Sequence, residues 1–549
     1  MDIDIAGAMS AFSGFVWSTP TAILLTGAGL LFTLMTVGVQ FKALTHGLAV
    51  IRGKYDDPSH KGNISHFQAL CAALSGTIGL GNISGVAVAI ASGGPGAVFW
   101  MWVVGFLGMA TKFMTCTLAV MYRHVDSSGT YRGGPMYYIE LGLAQTGSKL
   151  KRGAAKGLAI LFALLGVCGC IGAGTMFQSN QAAKTFVNLS KKIAPGGVSE
   201  ASQFAIQMIV GVVLCLGVGL VLIGGIKRLG RVAGRLVPAM CLIYSLGAIY
   251  IIARNIDTVP DIFRSIFESA FSPAAGMGAF YGVAVKTTMI QGVRRACFSN
   301  EAGMGTAPIA HATAKTGEPV REGIVAAIGP FIDTLVICTM TALVVLSTDT
   351  HRRGAVGTVS ATSEASAVEA EDGAAVTMHV HLSFTDDSVA KVGEEFFVHK
   401  PPARQGGQAG RIHLSIVSVD GDAVVATLTY DDSQAGRMAL ADDRSALTSG
   451  TEVYLFRDGV ELTALAFDRG LAGFGTYFIP VAALLFAFST MITWGFYGET
   501  CTEYLFGERA VLPFKIAFVL MILVGTASMK LQPVLDWADG MLGLMMVPN

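Results

Sequence analysis

Apolar runs of membrane-spanning length alternate with short polar loops along most of the chain. A helix needs about 20 apolar residues to cross the hydrocarbon core of a bilayer, and several of these runs are longer, which permits tilt. The predicted segments lie near 17–40, 64–91, 96–121, 154–189, 203–225, 231–253, 275–298, 320–347, 472–505, 511–530 and 532–549. The pattern therefore predicts an all-α polytopic membrane protein, and because the eleventh segment is short we expect its helix to be truncated.

A different kind of sequence separates the eighth and ninth segments. Apolar and polar residues alternate there over short stretches, divided by turn-forming residues such as Asp420-Gly421-Asp422. The predicted strands are Met378–Phe384, Glu395–His399, Arg411–Val419, Ala423–Tyr430, Val453–Arg457 and Glu461–Phe467, and Thr358 to Ala375 has the composition of a flexible linker. We therefore expect a small all-β insert, 348–469, between a first transmembrane part, 1–347, and a second, 470–549.

Basic residues orient the predicted bundle. Lysine and arginine gather in every second loop, which is typical of cytoplasmic loops. These loops run from Lys42 to Lys61, from Arg123 to Lys156, from Lys227 to Arg235 and from Arg294 to Arg321. The N-terminus and the acidic insert are therefore expected outside the cell inner (plasma) membrane.

Composition supports the membrane prediction and removes several other classes of protein. The 549 residues are 52% hydrophobic and 14% charged, with a mean hydropathy of +0.58, whereas soluble proteins carry about 25% charged residues. The net charge is zero, so nothing points to a nucleic-acid partner, and the lipid bilayer is the expected surrounding. No Ser/His/Asp constellation or His/Cys ligand set appears, and the nine cysteines lie in or beside apolar runs. The sequence therefore does not indicate an enzyme.

The strongest functional signal is a glycine-rich interruption of the second segment, from Gly76 to Gly85. A glycine in a helix costs about 1 kcal/mol relative to alanine, so four glycines and Asn82 at mid-bilayer depth predict a break. Freed backbone groups are tolerated there only when they are buried in protein or line a wet cavity. The two half-helix ends can bind an anion and a cation, which suits a small-solute transporter. Close helix packing through small residues is the alternative.

The seventh segment, five segments later, contains Gly276, Gly278 and Gly282. Paired interrupted helices at matching positions of two halves are typical of inverted-repeat transporters. Segment seven is therefore the expected partner of the broken second segment, although no residue-level repeat between the halves is visible.

Polar side chains within segments four and nine extend this hypothesis. Gln178 can hydrogen-bond a carboxylate or an ammonium group, and the hydroxyls of Ser489 and Thr490 suit a monovalent hard cation, while Trp494 offers a large wall. Interhelical hydrogen bonds of about 0.6 kcal/mol and ordinary core packing are the alternatives. Charged residues within membrane segments are also functional candidates, namely Lys112, Lys184, Lys286, Asp333 and Glu499.

Several longer strings of residues occur in a recognisable order along the chain. They are Gly76-Thr-Ile-Gly-Leu-Gly-Asn-Ile-Ser-Gly-Val-Ala, Gly93-Gly-Pro-Gly-Ala-Val-Phe-Trp-Met-Trp, Gly108-Met-Ala-Thr-Lys-Phe, Gly133-Gly-Pro-Met-Tyr-Tyr-Ile-Glu140, Phe298-Ser-Asn-Glu-Ala-Gly-Met-Gly, Ala307-Pro-Ile-Ala-His311 and Gly329-Pro-Phe-Ile-Asp-Thr334. These strings resemble the alanine-or-glycine:cation symporter family, also called the sodium:alanine symporters. The resemblance covers most of the chain outside the insert.

The resemblance implies a leucine-transporter-type fold, with one extra N-terminal helix followed by five plus five helices in inverted repeat. It implies Na⁺-driven uptake of alanine, glycine or a similar small amino acid. Substrate would be bound by Thr77, Gly79, Asn82, Gln178, Met289, Ile290 and Trp494. The Na⁺ would be bound by backbone carbonyls at Gly76 and Gly79 and by the hydroxyls of Ser489 and Thr490.

The sequence departs from the family pattern at three places. Thr115 stands where the family usually has Glu, and Thr175 stands where Asn is common. The β insert is not a usual family part, and a partner of it outside the cytoplasm is conceivable but unidentified. The second hypothesis is accordingly a transporter-like sensor or receptor, in which the insert relays amino-acid binding to a partner.

Overall fold

The computed structural model divides the chain into two compact units, one formed by Met1–Thr348 with Gly459–Asn549 and the other by Asp349–Asp458. The described residues are 5–549 except 58, 146–148, 195–197, 272–280, 351–356, 363–365, 371–372, 385–394, 401–409, 421–422, 432–451, 456–458 and 529–531. Each unit is built differently, the first from helices and the second from strands.

The first unit is a helical bundle whose helices come from two parts of the chain, one before the insert and one after it. Before the insert its helices are α1 (Ile5–Val16), α2 (Thr19–Met35), α3 (Val39–Lys42), α4 (Leu48–Ile51), α5 (His66–Thr77), α6 (Val86–Gly93), α7 (Gly96–Met121), α8 (Pro135–Ala144), α9 (Lys149–Ile171), α10 (Gln178–Ile193), α11 (Glu200–Ile223), α12 (Gly225–Arg254), α13 (Val259–Phe271), α14 (Tyr281–Asn300), α15 (Ala307–His311), α16 (Pro319–Ala326), α17 (Ile328–Pro330) and α18 (Thr339–Ser347). After the insert they are α19 (Gly459–Gly470), α20 (Gly475–Phe506), α21 (Val511–Ala527) and α22 (Gln532–Met545).

Several of these helices are long and apolar enough to cross a membrane. Seven spans of the described chain meet that criterion, and two further helix pairs meet it together although each pair is bent, by 70° and by 54°. The 54° bend lies between His66–Thr77 and Gly81–Gly93, where the sequence predicts a break. The multi-pass, largely helical membrane fold expected from the apolar pattern is confirmed.

The broken helix has a clear beginning and a clear interruption. Ser65 and Gln68 form a capping box at the start of α5, which satisfies backbone N–H groups that would otherwise lack partners. The helix ends at Thr77, and a π-helical stretch, Gly81–Gly85, follows before α6. The side-chain oxygen of Asn82 accepts a hydrogen bond from the Gly79 N–H at 3.0 Å. Asn82 therefore holds the interrupted backbone in place of the lost helical bond.

A second interruption lies between α14 and α15. The backbone there is left-handed at Glu301, with φ of 53°, and again at Gly303 and Gly305, with φ of 88° and 81°. Glycine adopts this conformation without steric cost, whereas a residue with a side chain such as Glu301 does so rarely. Gly282 lies within the continuous helix α14, and Gly276 and Gly278 lie outside the described residues.

Among the described residues of the first unit, three more π-helical stretches lie at Ala43–Gly47, Gly172–Phe177 and Phe331–Cys338. A π turn interrupts the regular ladder of an α-helix and often lies at functional sites. Gly172–Phe177 joins α9 to α10, and Phe331–Cys338 precedes α18. Together with Gly81–Gly85, these stretches place irregular backbone in three of the central helices.

A short hairpin on the predicted cytoplasmic side connects α7 to α8. Its strands β1 (His124–Val125) and β2 (Tyr131–Arg132) pair antiparallel. Arg132 is buried and contacts Asp126 of the hairpin as well as Glu499 and Glu503 of α20, at 3.0, 2.7 and 2.8 Å. Burial alone would raise the pKa of Asp126, but hydrogen bonds from Ser128, Thr130 and Arg132 outweigh it and lower that pKa.

The described residues of the second unit form an antiparallel sheet of seven strands. They are β3 (Gly357–Thr362), β4 (Ser366–Ala370), β5 (Gly373–Phe384), β6 (Glu395–Lys400), β7 (Gly410–Asp420), β8 (Ala423–Asp431) and β9 (Glu452–Leu455). Their order is β3-β9-β6-β7-β8-β5-β4, and β3 also pairs with β5. Six of the strands therefore form a closed ring, and β4 extends β5.

Two predictions at the ends of the insert are wrong. Glu461–Phe467, predicted as a strand, lies in the helix α19 and belongs to the helical unit, so the insert as the structure has it ends at Asp458 rather than at 469. Thr358 to Ala375, predicted as a linker, contains β4 and all of β3 except its first residue, and it ends within β5. Ser, Ala and Glu are compatible with a linker, but here β5 supplies the missing hydrogen bonds to both strands.

Candidate functional site

A cavity lies beside the interruption of the broken helix. It is small, with about 20 Å³ open to the centre of a water-sized sphere, which corresponds to one or two water molecules. It is formed by both interruptions together with α20, α22 and the junction of α9 with α10. Its lining residues are Gly76, Thr77, Gly79, Gly81, Ala173, Gln178, Phe298, Glu301, Met304, Thr490, Trp494 and Leu542.

Two oxygen atoms in this cavity have no hydrogen-bond partner among the described residues. They are Thr490 Oγ1 and Gln178 Oε1, and their side chains are 2% and 5% exposed. A buried polar atom without a partner costs about 1–3 kcal/mol. Their presence in a cavity therefore indicates a ligand that supplies the missing interactions.

The broken backbone lies directly opposite these two oxygens. A Cβ atom built on Gly79 would lie 2.5 Å from Thr490 Oγ1 and 3.7 Å from Gln178 Oε1. Glycine is therefore the residue that lets the backbone approach both oxygens. Backbone carbonyls and hydroxyls are the oxygen ligands that hard cations prefer. The structure places the Thr490 hydroxyl beside the Gly79 backbone, and Na⁺ binding by these groups stays a prediction.

Trp494 closes one side of the cavity. Its indole N–H donates to the carbonyl oxygen of Gly76 at 3.3 Å. A Cβ atom on Gly174 would lie 2.6 Å from the Cβ of Trp494, so this glycine allows the indole to pack against the π-helical stretch. The indole of Trp494 therefore packs between the broken helix and the π-helical stretch Gly172–Phe177.

Ser489 is engaged in contacts with the backbone. Its hydroxyl donates to the carbonyl of Phe486 at 2.9 Å and to that of Ser75 at 3.4 Å. The hydroxyl of Ser75 donates in return to the carbonyl of Ser489 at 2.6 Å. This reciprocal pair joins α5 to α20 next to Thr490, and Thr490 is the better placed of the two predicted hydroxyl ligands.

Asn82 lies behind the cavity rather than in its lining. Its side-chain N–H group donates to the hydroxyl of Ser299 at 2.8 Å and to the carbonyl of Asp333 at 3.2 Å. The hydroxyl of Thr341 donates to the backbone carbonyl of Asn82 at 2.9 Å. In this structure Asn82 positions the interruption, and its direct contact with substrate stays a prediction.

The structure brings together five of the predicted site residues besides Gly76, but leaves others apart. Thr77, Gly79, Gln178, Thr490 and Trp494 line one cavity. Met289 and Ile290 are not in its lining; they lie near the middle of α14, whereas the lining residues from this part of the chain are Phe298, Glu301 and Met304. Glu301 could have been found from the sequence, because its string places a carboxylate two and four positions before the glycines Gly303 and Gly305.

The charged residues predicted inside membrane segments have different surroundings. Lys112, Asp333 and Glu499 are buried, and Glu499 contacts both Arg132 and Lys515. Lys184 is half-buried, and the side chain of Lys286 lies outside the described residues. Glu499 is therefore part of an ion-pair network on the side of the hairpin.

A polytopic bundle with two interrupted helices around a buried polar cavity has the features of a secondary transporter. A sequence model of the sodium:alanine symporter family matches residues 3–386 and 445–549. The chain therefore belongs to the sodium:alanine symporter family, which confirms the resemblance seen in its motifs.

Individual relatives agree with this assignment, two of them over nearly the whole chain and one over 61% of it. The sodium/alanine symporter AgcS of Methanococcus maripaludis is 34% identical over 100% of this chain and 94% of its own length. The putative sodium/proton-dependent alanine carrier protein YrbD of Bacillus subtilis is 31% identical over 98% of this chain and 87% of its own. The probable sodium/glutamine symporter GlnT of Bacillus subtilis is 38% identical over 61% of this chain and 64% of its own. The relatives are named as carriers of more than one amino acid.

Proposed function

We propose that this protein is a secondary active transporter that carries alanine, glycine or a similar small amino acid into the cell together with Na⁺, by alternating access. The observation that carries the proposal is the pair of unpartnered oxygens, Thr490 Oγ1 and Gln178 Oε1, facing the open backbone at Gly79. Membership of the sodium:alanine symporter family supports it. The relatives' names support transport and give no support to the sensor alternative.

In this proposal the two ligands meet at the interruption. Na⁺ binds between the carbonyls near Gly76–Gly79 and the Thr490 hydroxyl, and it offsets the desolvation of the nearby substrate carboxylate. Gln178 hydrogen-bonds the amino acid, and Trp494, Phe298 and Met304 form apolar walls around its side chain.

The proposed arrangement of the helices follows from the same site. The two interruptions would occupy matching positions of a five-plus-five inverted repeat that follows one extra N-terminal helix. The bundle would lie in the inner membrane with the N-terminus and the insert outside, as the distribution of basic loops indicates. The amino acid and Na⁺ would then enter from the side of the insert.

Electrical energy is sufficient to concentrate the substrate. One Na⁺ entering the cell gains about 2.3 kcal/mol for each 100 mV of membrane potential. Each 1.4 kcal/mol is a factor of ten, so potential alone supports a gradient of roughly fortyfold per 100 mV. A Na⁺ concentration gradient would add to this value.

The decisive test is uptake of labelled alanine by the purified chain in proteoliposomes with an imposed Na⁺ gradient. Thr490→Val removes the proposed hydroxyl ligand with little change of shape, so the Na⁺ concentration for half-maximal uptake should rise by at least about tenfold, the equivalent of 1.4 kcal/mol. Uptake by the unmodified chain that is indifferent to Na⁺ would contradict the symporter proposal.

Thr502→Val is the matched control for this experiment. Thr502 is also buried on α20, and its hydroxyl has no hydrogen-bond partner in the described part of the chain. It lies twelve positions further along, about 18 Å away in a helix. Its Na⁺ dependence should equal that of the unmodified chain. An equal effect of both substitutions would mean that Thr490 acts through packing rather than through Na⁺.

A further inference from the structure

Glu301 brings a carboxylate into the wall of the cavity. It lines the cavity together with Thr490 and Gln178, whose side-chain oxygens have no partner among the described residues. Glu301 is 3% exposed. Of the described residues in the lining, it is the one with an ionisable side chain. A solute in this cavity therefore meets the charge of Glu301.

The backbone conformation of Glu301 is unusual for a residue of its type. Glu301 directly follows α14, and its N–H donates to the carbonyl of Cys297 at 2.8 Å. Its φ of 53° is left-handed, and a left-handed residue at the end of a helix is usually glycine and sometimes asparagine. Residues held in such conformations cluster at ligand-binding sites. The backbone at 301 therefore indicates that the carboxylate itself is needed there.

Neutral donors hold the Glu301 carboxylate in place. The hydroxyl of Thr306, the residue before α15, donates to Oε2. The indole of Trp494, which also donates to the carbonyl of Gly76, interacts with the same carboxylate. An ionised carboxylate has about four acceptor positions, so these two donors orient it and leave positions for a ligand. Neither donor brings a positive charge.

The buried charges around Glu301 do not balance among the described residues. Lys112 interacts electrostatically with both Glu301 and Asp333, and these three residues are 2%, 3% and 0% exposed. Two carboxylates therefore face one ammonium group. A buried charge without a partner is strongly unfavourable. Asp333 is outside the lining of the cavity, so Glu301 is the carboxylate that a cationic group in the cavity can reach.

We propose that the Glu301 carboxylate binds the α-ammonium group of the transported amino acid. The assignment rests on the proposed function, because it concerns the substrate of that site. An ammonium group has three N–H donors. Its hydrogen bond to a carboxylate is charge-assisted and roughly twice as strong as a neutral one.

The assignment gives the substrate an orientation. Its ammonium group faces the second interruption at Glu301, and its carboxylate faces the Na⁺ at the first interruption, near Gly79. The charges then sum to zero, because Lys112 and one Na⁺ balance Glu301 and Asp333, and the zwitterion adds none. Without Na⁺ the same set keeps one buried negative charge, which is a physical reason for coupling between the ion and the amino acid.

Lactate tests for the ammonium group, because it has the size of alanine and carries a neutral hydroxyl in place of the ammonium. A ligand that binds the folded chain raises its unfolding temperature, and the concentration dependence gives the dissociation constant. For the unmodified full chain in detergent at saturating Na⁺, the dissociation constant of alanine should be at least about tenfold lower than that of lactate. This is the difference expected for one charge-assisted hydrogen bond.

Glu301→Gln keeps the shape of the side chain and removes its charge. Its dissociation constant for alanine should rise at least about tenfold, while that for lactate changes by less than about threefold, so the preference for alanine disappears. Glu140→Gln is the matched control. Glu140 of α8 accepts a hydrogen bond from the Tyr504 hydroxyl and lies outside the cavity lining, so this variant should keep the preference of the unmodified chain.

Glu301→Asp is the second variant. Aspartate tolerates the left-handed conformation better than glutamate and keeps the negative charge, so the preference for alanine over lactate should persist whatever the absolute affinity. The assignment would be overturned by a Glu301→Gln chain that keeps the preference, even if it binds both ligands more weakly, or by a Glu301→Asp chain that loses it. Stabilisation of the unmodified chain by neither alanine nor glycine would contradict the proposed function itself, and the assignment with it.

Discussion

At the residue scale, the site depends on a glycine, Gly79, as much as on the side chains around it. Gly79 has room for no Cβ, because that atom would lie 2.5 Å from Thr490 Oγ1. Its N–H is held by Asn82 at 3.0 Å. The backbone at the interruption is therefore fixed by Asn82 from behind and exposed to the cavity in front.

Gly79→Ala should abolish Na⁺-dependent alanine uptake. The added methyl group either displaces the Thr490 hydroxyl or occupies the place of the ion, and overpacking of this kind costs about 1–3 kcal/mol. Gly157→Ala is the control, because a Cβ atom on Gly157 of α9 meets nothing within 4 Å. Uptake by Gly79→Ala equal to that of Gly157→Ala would show that the close approach has no role in transport.

Residue types and spacing predict the cavity only in part. Thr77, Gly79, Gln178, Thr490 and Trp494 were accessible from the sequence, because polar or glycine residues are conspicuous inside apolar segments. Leu542, Ala173 and Met304 were not, since an apolar residue facing a cavity looks like any other apolar residue in a membrane helix. Only the packing of the helices distinguishes them.

At the element scale, an ion-pair network joins the β1–β2 hairpin to α20 and α21. Arg132 contacts three carboxylates, and Lys515 contacts Glu499 at 3.0 Å. A buried charge that loses its partner is strongly destabilising. The guanidinium of Arg132 therefore stabilises the fold mainly by neutralising these buried carboxylates, more than through any single hydrogen bond.

Arg132→Gln should lower the free energy of unfolding by about 3–5 kcal/mol, because it leaves the carboxylates of Glu499 and Glu503 short of positive charge. Thermal unfolding in detergent measures the loss. Arg264→Gln is the matched control, since Arg264 pairs with Glu268 on an exposed helix surface and such pairs contribute at most about 1 kcal/mol. Equal shifts in the two variants would contradict the importance of burial.

The misassigned segment Glu461–Phe467 shows how element type can be misread. Its alternation suggested a strand, but the buried residues of α19 are Gly459, Val460, Leu462, Thr463, Ala466 and Phe467. Their spacing of three and four residues is that of a helix packed on one face. A seven-residue window contains too few turns to distinguish the helical period of 3.6 residues from the strand period of two. The packing of α19 on the bundle favours the helix.

At the scale of the whole molecule, the helical unit makes its own contacts between the residues before the insert and the helix α19 that follows it. Arg469 of α19 donates to the carbonyl of Thr348 at 3.2 Å, and Thr463 donates to the carbonyl of Ile83 at 3.0 Å. α19 therefore packs on the second half of the broken helix and lies close to the end of α18. The helical unit keeps these contacts without any residue of the insert.

Replacing Asp349–Asp458 by a short Gly/Ser linker should leave a chain that folds and carries alanine with Na⁺. The linker must span from Thr348 to Gly459. Arg469, which donates to the Thr348 carbonyl, lies ten residues beyond Gly459, about 15 Å along a helix, so the linker needs enough residues to cover a distance of that order. Size-exclusion profile and proteoliposome uptake give the result. A longer deletion that also removes α19, up to Gly470, should abolish uptake, and retention of uptake in that variant would contradict the role of α19.

The π-helical stretches carry a consequence for length variation in this chain. A π turn holds one residue more than the α turn it replaces, and one residue in an α-helix corresponds to a rotation of about 100°. Removing one residue within Phe331–Cys338 can therefore be absorbed by tightening that turn, whereas the same removal in α12 would rotate every following side chain to a new face. Single-residue length changes should thus concentrate in the π turns, and two of these stretches, Gly81–Gly85 and Gly172–Phe177, contribute residues to the cavity.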